Sequence, residues 1–184
     1  VPVSDEVKPM KSHQCVLGIY YHPRAQWHFS MEGFYKTQAN LVDDYHGMDI
    51  TPEYLDWKEN VHFGNGRSFG LEWMLQKKGG NTSGWINYTL SHAYRWFSDG
   101  SINQGHHFPA KYDSRHILNL VLLHKFSDFF DISATWTFNN GFYTTQPLER
   151  YDSPVALPGE KGDGQTDVIF HIEKRNNVKT PDYH

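Results

Sequence analysis

Two short stretches of the sequence carry side chains able to bind a metal or to catalyse a reaction, and the first is a histidine pair. His106 and His107 stand side by side in the run "INQGHHFP". Imidazole is the usual neutral ligand of transition-metal ions and of haem iron, so the pair suggests a metal site. Neighbouring residues of an extended chain point to opposite sides, however, and no Cys, Asp or Glu nearby has the spacing of a closed site. We therefore predict a loop without a bound metal.

The second stretch is "KYDSRH", in which Asp113, Ser114 and His116 are the three residue types of a serine-hydrolase triad. Triad members meet through the fold rather than along the sequence, and Ser114 has no Gly-x-Ser-x-Gly context. Turn and strand-entry chemistry explains the stretch better, with Asp113 capping the loop. We predict that the chain has no catalytic residue and no cofactor, and that it is not an enzyme. A small β-sheet hydrolase remains the third of our hypotheses.

The elements that position these stretches are predicted to be β-strands, because apolar and polar residues alternate over long runs. Ile86, Tyr88 and Leu90 fall on one face of such a strand, and Asn87 and Thr89 fall on the other. The same period of two recurs along the chain, and it predicts six strands over 13–22, 27–40, 66–78, 84–97, 115–126 and 130–142. A seventh is predicted around 167–174, in "DVIFHIEK".

Composition narrows the class of protein. The 184 residues fit one domain, 1–184, and the aromatic content of 16% suits strands better than helices. The net charge of −4 comes from scattered charges without a basic run, so we predict no nucleic-acid partner. Cys15 is the single cysteine, which excludes an intramolecular disulfide. The N-terminus has no charged start followed by an apolar run, so we predict no signal peptide within it.

The predicted connections alternate between short and long. "PRAQ", "GGNTS" and "SDF" are tight turns, whereas about 25 residues follow Leu41, about 17 follow Ser98, and a Gly/Pro-rich connection runs from Tyr143 to about Thr166. Short turns at one end of a sheet and long loops at the other are typical of up-and-down outer-membrane barrels. Strand lengths agree, since a strand tilted by about 45° needs about 9 to 11 residues to cross the hydrocarbon layer. Aromatic residues cluster near both ends of the strands, as two girdles do.

Alternation is also found in half-exposed sheets of soluble proteins. A soluble all-β ligand-binding barrel of the lipocalin type, whose apolar face is an internal core, is therefore our second hypothesis. Behaviour in water separates it from a membrane barrel, because the soluble protein stays in solution without detergent.

Several longer runs carry a family likeness. They are "GRSFGLEWMLQKKGGNTSGWINYTLSHAYRWF", "INQGHHFPAKYDSRHILNLVL", "DISATWTFNNG" and "NNVKTPDYH", with weaker support from "EGFYK" at Glu32. Together they closely resemble the C-terminal part of the β-barrel of TonB-dependent outer-membrane receptors, of the type found in Bacteroidetes. The likeness covers most of the chain from Gly66 to His184.

The resemblance implies an all-β, antiparallel, up-and-down transmembrane barrel of about 22 strands, of which this chain holds about six or seven. Six or seven strands are too few to close a barrel, so we expect a partial barrel domain without its plug and final strands. The implied function is TonB-coupled uptake of a scarce solute, such as a siderophore, haem, cobalamin, a glycan or a peptide, across the bacterial outer membrane. The implied partners are the rest of the barrel, its plug domain, the TonB complex, a surface lipoprotein and outer-membrane lipid.

The resemblance also assigns residues to two regions. The histidine pair lies in an outer loop that would contact the solute, and the residues predicted for this role are His106, His107, Tyr112 and Arg115. Polar residues of the strands would face the lumen, where they contact the plug or a passing solute. These predicted lumen residues are Glu32, Glu72, Asn87, Thr89 and Thr135. Arg115 is also expected to pair with carboxylates of the lumen.

Overall fold

A computed structural model describes residues 8–44, 61–146, 149–154, 166–171 and 174–183. Over these ranges the protein is all-β, and its helical part is a single 3-10 turn at Asn103–Gly105. Among the same residues, no helix has the length and apolar character needed to span a membrane.

The main sheet is an antiparallel meander. Its strands are β1 (Lys11–Arg24), β2 (Trp27–Asp44), β3 (Val61–Lys77), β4 (Thr82–Trp96), β5 (Phe108–Pro109), β6 (His116–Lys125) and β7 (Asp131–Asn139). The spatial order is β1-β2-β3-β4-β6-β7, with the two-residue β5 paired to β4, and the seven-stranded sheet does not close. All six strands predicted from the period of two are confirmed, and β1, β2 and β3 are longer than predicted.

Four further strands lie outside the main sheet: β8 (Tyr143–Thr144), β9 (Glu149–Pro154), β10 (Thr166–His171) and β11 (Val178–Lys179). β9 pairs with β10 and β8 pairs with β11, each as a separate two-stranded sheet. The predicted seventh strand at 167–174 therefore exists in part, as β10, but it does not join the main sheet. The connection predicted as a plain loop from Tyr143 to Thr166 contains β8 and β9. A period of two identifies a strand without identifying the strand that it pairs with.

The ends of the main sheet differ as predicted. Residues 25–26, 78–81 and 126–130 are short connections at one end, which we call the turn end. The connection of 97–115 lies at the opposite end, which we call the loop end, and β8 follows β7 there. The other long connection, predicted over about 25 residues from Leu41, is strand at both ends, because residues 41–44 belong to β2 and residues 61–65 to β3. Residues 45–60 lie outside the described residues.

The pairing register sorts the side chains of the long strands onto two faces. Ile86 pairs with Leu75 and Leu120, whereas Glu72 pairs with Glu32 and Thr89. Successive side chains of a strand point to opposite faces, so the row of Ile86 and the row of Glu72 fix the face of every other side chain in the paired strands. The apolar face has three central rows: Leu17, Gly33, Leu71 and Leu90; Ile19, Met31, Trp73, Tyr88, Leu118 and Phe138; and Tyr21, Phe29, Leu75, Ile86, Leu120 and Trp136. The opposite side is the polar face.

A β-bulge at Asn40 changes the orientation of β2 near the loop end. Asn40 has φ 58°, and the register shifts between Ala39 and Leu41. The extra residue turns Leu41 onto the polar face, where its Cδ1 would lie 2.8 Å from a Cβ added to Gly66. Leu41 is buried there, so the bulge adds a buried apolar side chain to the polar face.

A small buried core lies on the polar face at the loop end. Phe97, Ile102 and Phe108 form one buried cluster, and Phe97 is fully enclosed. The Phe97 ring covers Gly64, where an added Cβ would lie 2.6 Å from it. Since Phe108 pairs with Arg95 of the polar face, the loop after β4 folds over that face. On the apolar face the same loop places the exposed His107 ring against Tyr94 and Trp96, outside the buried cluster.

A charged network fixes the loops in place on the same face. Arg175 Nη1 lies 3.2 Å from Asp43 Oδ1, and Arg95 Nη1 lies 3.7 Å from Asp43 Oδ2. The backbone N–H of Arg175 donates to Asn103 Oδ1 over 2.7 Å. These bonds join β2, β4, the loop after β4 and the segment that precedes β11.

Candidate functional site

The polar face carries a cross-strand row of acceptors at its centre. Glu32 on β2 pairs directly with Glu72 on β3, which pairs with Thr89 on β4. Carboxylates directly opposite each other repel when both are ionised. The hydroxyl of Tyr20 donates to Glu32 Oε1 over 2.7 Å and so stabilises one of the two carboxylates.

These residues line a concavity of about 460 Å³ on the polar face, close to the turn end. Its lining combines polar and apolar surface and is formed by Tyr20, His22, His28, Phe29, Ser30, Glu32, Glu72, Trp73, Met74, Gln76, Lys78 and Asn87. The rings of His22 and His28 meet edge to face, with centroids 4.4 Å apart. Carboxylates at the centre and basic groups toward the turns give the concavity both donors and acceptors, which suits contact with a hydrated solute or with a polar protein segment.

All five predicted lumen residues lie on one face, and the concavity holds three of them. Glu32, Glu72 and Asn87 line it, and Thr89 stands beside Glu72 in the same cross-strand row. Thr135 lies farther along the sheet on β7, opposite Val121 of β6.

The four residues predicted to contact a solute are divided by the fold. The His107 ring stacks on Tyr94, with centroids 5.2 Å apart, and lies 4.7 Å from the Trp96 ring, both on the apolar face. His106 is exposed, and its N–H donates to the Asn103 carbonyl over 3.0 Å. The histidine pair therefore does not form one ligand set.

Tyr112 and Arg115 belong to the C-terminal part of the same loop, between β5 and β6. The Tyr112 side chain is exposed, and its ring centroid is 6.3 Å from that of Phe142. Arg115 was predicted to pair with lumen carboxylates, but its Nη2 lies 3.3 Å from Nδ1 of His92, a residue of the apolar face. Of the four residues, His107 and Arg115 thus contact side chains of the apolar face, on the opposite side of the sheet from the polar concavity.

The three residues of the apparent hydrolase triad each bind different partners. Asp113 is buried, accepts the N–H of Ala93 at 2.7 Å, and lies 3.1 Å from His92 Nδ1. Ser114 Oγ donates to Asn139 Oδ1 over 2.6 Å. His116 Nδ1 lies 2.7 Å from the hydroxyl of Tyr88. Asp113 thus joins the loop to β4, and this geometry does not form a nucleophile-base pair.

The loop after β4 also contains a carboxyl group with a shifted pKa, that of Asp99. Although burial alone raises the pKa of Asp99, hydrogen bonds from Ser101 and from His62 outweigh it and hold that pKa below its ordinary value. Ser101 Oγ donates over 2.7 Å, and His62 Nδ1 lies 3.0 Å away. No group of three or more His, Cys, Asp or Glu side chains among the described residues is arranged to hold a metal ion.

One feature of the apolar face was missed by sequence reasoning. Arg67 lies on this face, one cross-strand row beyond Phe69 toward the loop end. Its guanidinium carbon stands 5.8 Å, 6.0 Å and 5.8 Å from the ring centroids of Tyr35, Tyr94 and Trp96. Its Nε is buried and has no hydrogen-bond partner among the described residues. The period of two carries the signal, because Arg67 is the one charge in the series that continues through Phe69 to Leu75.

A groove of about 1070 Å³ crosses the apolar face from β1 to β4, and we call it the apolar groove. One wall is the row of Cys15, Tyr35, Phe69 and His92, and the other is the row of Leu17, Gly33, Leu71 and Leu90. Arg115 lies at its end. Gly33 has no side chain and so leaves a gap in the second wall.

The fold and these sites define an open antiparallel sheet with a polar concavity on one face and an apolar groove on the other. In comparisons with protein-family models, with curated proteins and with solved structures, the chain gave no match.

Proposed function

We propose that the chain forms part of the wall of an outer-membrane β-barrel that takes up a scarce solute, in the manner of TonB-dependent receptors. In this proposal the apolar face meets lipid and the polar face lines the lumen. The single observation that carries it is the apolar face itself, which is wide and exposed and from which no Asp or Glu side chain described for the strands projects.

The exposure of the apolar face is extensive. Leu17 keeps 81% of its side-chain surface, Ile19 58% and Trp136 44%. Water-soluble monomers rarely expose contiguous apolar patches of more than a few hundred Å², so a face of this kind is expected to meet lipid or another protein. A face that meets lipid needs no further cover.

The distribution of charge on this face matches a bilayer. Among the side chains described for the sheet, no Asp or Glu projects from this face, and its cations stand near the two ends, with Lys77 at the turn end and Lys11 and Arg67 at the loop end. At about 3.4 Å per residue and a tilt of about 45°, the stretch from Ile86 to Trp96 rises about 24 Å, close to the apolar band of about 25 Å in such barrels.

The folding of the loops favours the polar face as the inner one. Phe97 and Phe108 are buried on the polar face, and Arg175 joins Asp43 there. In outer-membrane barrels the lumen is polar, and loops or a plug fill it. A solute that passed these loops would meet the concavity that contains Glu32 and Glu72.

The edge of β7 that faces away from β6 has one partner among the described residues, Tyr183. Asn139 and Tyr183 form an antiparallel bridge, each donating its N–H to the carbonyl of the other over 2.9 Å. In this register a strand that continued beyond Tyr183 would run antiparallel along β7. The meander therefore has a pairing site ready for the next strand, as a larger barrel requires.

The transport step rests on the family resemblance. In such receptors a plug fills the barrel and moves when TonB supplies energy, and the solute first contacts the outer loops. The polar concavity would then bind either a hydrated solute or the plug. Siderophore, haem, cobalamin, glycan and peptide all stay open as the solute.

A second candidate function, a soluble all-β ligand-binding barrel, is favoured by the apolar groove. In that case the groove would be an internal cavity for an apolar ligand. The two candidates differ in what covers the apolar face, which is lipid in one and protein in the other.

A pair of adjacent residues tests the proposal. On a Cys15→Ser background, Leu71→Cys and Glu72→Cys place a thiol on opposite faces of β3. The chain is folded into phosphatidylcholine vesicles and treated with a water-soluble maleimide. We expect the thiol at position 72 to react and the thiol at position 71 to be protected, with protection lost in urea. Equal reaction at both positions, or a chain that stays in the aqueous phase as a compact monomer, contradicts the proposal.

A further inference from the structure

The apolar groove ends at one cationic side chain, Arg115, and a second, Arg67, lies near this end. Arg115 Nη2 lies 3.3 Å from His92 Nδ1, where the groove reaches β4. Arg67 is a diagonal neighbour of His92 across β3 and β4, because Phe69 pairs with His92 and Arg67 comes two residues earlier. Diagonal neighbours of this kind are about 7 to 8 Å apart, so the two guanidinium groups are able to approach one ligand.

Arg67 is held by rings rather than by an acid. It lies over Tyr35, Tyr94 and Trp96, and the buried Nε has no hydrogen-bond partner among the described residues. Aromatic faces stabilise a guanidinium without using its N–H donors. The outer N–H groups of Arg67 therefore stay suited to an anionic acceptor.

The one described carboxylate near this end of the groove is already used. Asp113 keeps 2% of its surface and binds the Ala93 N–H and His92. Arg67 and Arg115 together carry two positive charges against this one negative charge. The end of the groove is therefore electropositive, whereas its walls are almost entirely carbon.

We propose that the apolar groove binds one acyl chain of an anionic, phosphate-bearing lipid, and that Arg67 and Arg115 hold the phosphate. The planar guanidinium fork matches phosphate oxygens in pairs, and a phosphate diester offers more acceptors than a fatty-acid carboxylate. This inference rests on the proposed function in one respect, namely that the apolar face meets lipid.

The direction of the groove relative to the strands is compatible with a lipid chain in one leaflet of the bilayer. The groove runs across the strands, so it is perpendicular to them. If the strands tilt by about 45° to the membrane normal, a groove perpendicular to them is inclined by about 45° as well. In the proposed complex the acyl chain lies along this inclined groove and the phosphate lies at its β4 end, beside Arg115.

Native mass spectrometry of the full chain in a neutral maltoside detergent tests this inference. Dioleoyl phosphatidylglycerol is titrated as the anionic probe, and dioleoyl phosphatidylcholine is the zwitterionic control with the same tails. We expect phosphatidylglycerol to bind at least about tenfold more tightly, because both lipids carry a phosphate diester but the two guanidinium groups repel the choline cation of phosphatidylcholine. Equal dissociation constants for the two lipids overturn the inference.

Matched variants distinguish binding of the lipid headgroup from binding of its acyl chain. Arg115→Gln and Arg67→Gln should each weaken phosphatidylglycerol binding about tenfold. Arg95→Gln removes the same charge from the polar face and should leave phosphatidylglycerol binding unchanged. Gly33→Val narrows the groove and should weaken the binding of both lipids. Because Arg115 is exposed, its variant keeps the packing intact even if Arg67→Gln misfolds.

Three further outcomes decide against the inference. A loss with Arg95→Gln as large as with Arg115→Gln means non-specific attraction, and oleate binding as tight as phosphatidylglycerol means a carboxylate ligand. A chain that floats with phosphatidylcholine vesicles but shows no preference for phosphatidylglycerol overturns the lipid site and leaves the proposed function standing. A chain that does not float overturns the proposed function instead.

Discussion

Glu32 and Glu72 stand directly opposite each other on β2 and β3, in the middle of the polar face. Only Glu32 receives the hydroxyl of Tyr20 in a described hydrogen bond, over 2.7 Å. Two facing carboxylates on a sheet are unfavourable for stability, and they form an anionic spot in the concavity that would attract a cationic group of a solute or of a plug.

Glu72→Gln is expected to stabilise the sheet. The substitution removes the repulsion with Glu32 and keeps the size of the side chain, so the free energy of unfolding should rise by about 0.2 to 1 kcal/mol at neutral pH. Urea unfolding in phosphatidylcholine vesicles, followed by tryptophan fluorescence, measures the change. The gain should shrink in about 1 M salt, which screens the repulsion between exposed charges; a gain that persists there would have another cause.

Asp113→Ala is expected to destabilise the protein. The carboxylate is buried and accepts the Ala93 N–H, so its removal leaves that donor and His92 without their acceptor. We expect the free energy of unfolding to fall by about 2 to 3 kcal/mol. Asp128→Ala is the control, because Asp128 is exposed and pairs only with Lys125 among the described contacts; it should change stability by less than about 0.5 kcal/mol. Similar losses in both variants would contradict the anchoring role of Asp113.

Acidification is expected to release the turn at Asp99. Because the pKa of Asp99 is lowered in the folded state, its bonds to Ser101 and His62 stabilise the loop above the ordinary carboxyl pKa of about 3.9. That stabilisation is lost as the pH falls through the lower, folded-state pKa. The amide of Ser101 should therefore lose its protection from hydrogen exchange below about pH 4. In Asp99→Asn the protection should be weaker at neutral pH and should no longer change across this range.

Gly70→Ala is expected to disturb the centre of the sheet. A Cβ at Gly70 would lie 2.6 Å from the Leu90 carbonyl oxygen and 2.7 Å from the Phe34 ring. Overpacking against a fixed backbone atom costs about 1 to 3 kcal/mol. The control is Gly33→Ala, where the nearest atom is the end of the flexible Leu71 side chain at 3.3 Å. Unfolding in urea should show a clear loss for position 70 and a small change for position 33, and the reverse order would contradict the close approach.

Much of the sheet follows from the sequence because alternation is a local property. The pattern around Ile86 and Asn87 predicts both the strand and its two faces, and a slip of one residue would turn Leu71 and Trp73 onto the polar face and Glu72 onto the apolar one. The six long strands and the common face of Glu32, Glu72 and Thr135 were therefore predictable from the order of residues along the chain.

The loops were not predictable in the same way. The bonds between Asn103 and Arg175 join residues 72 positions apart, and no local pattern specifies such a pair. The side of the sheet that His107 meets depends on its stacking with Tyr94 and Trp96, which requires the loop to return to β4. The pairing of β9 with β10, rather than with β7, is likewise a choice between strands of similar pattern.

The sequence by itself thus determined the strands, their alternation and the separation of an apolar from a polar face, because each follows from neighbours along one chain. Tertiary structure alone decided that the loops cover the polar face, that Arg115 turns to His92, and that Arg67 stands among three rings beside a groove with a gap at Gly33. Those features depend on side chains from several strands meeting in one register, and the register is set by the packing of the whole sheet.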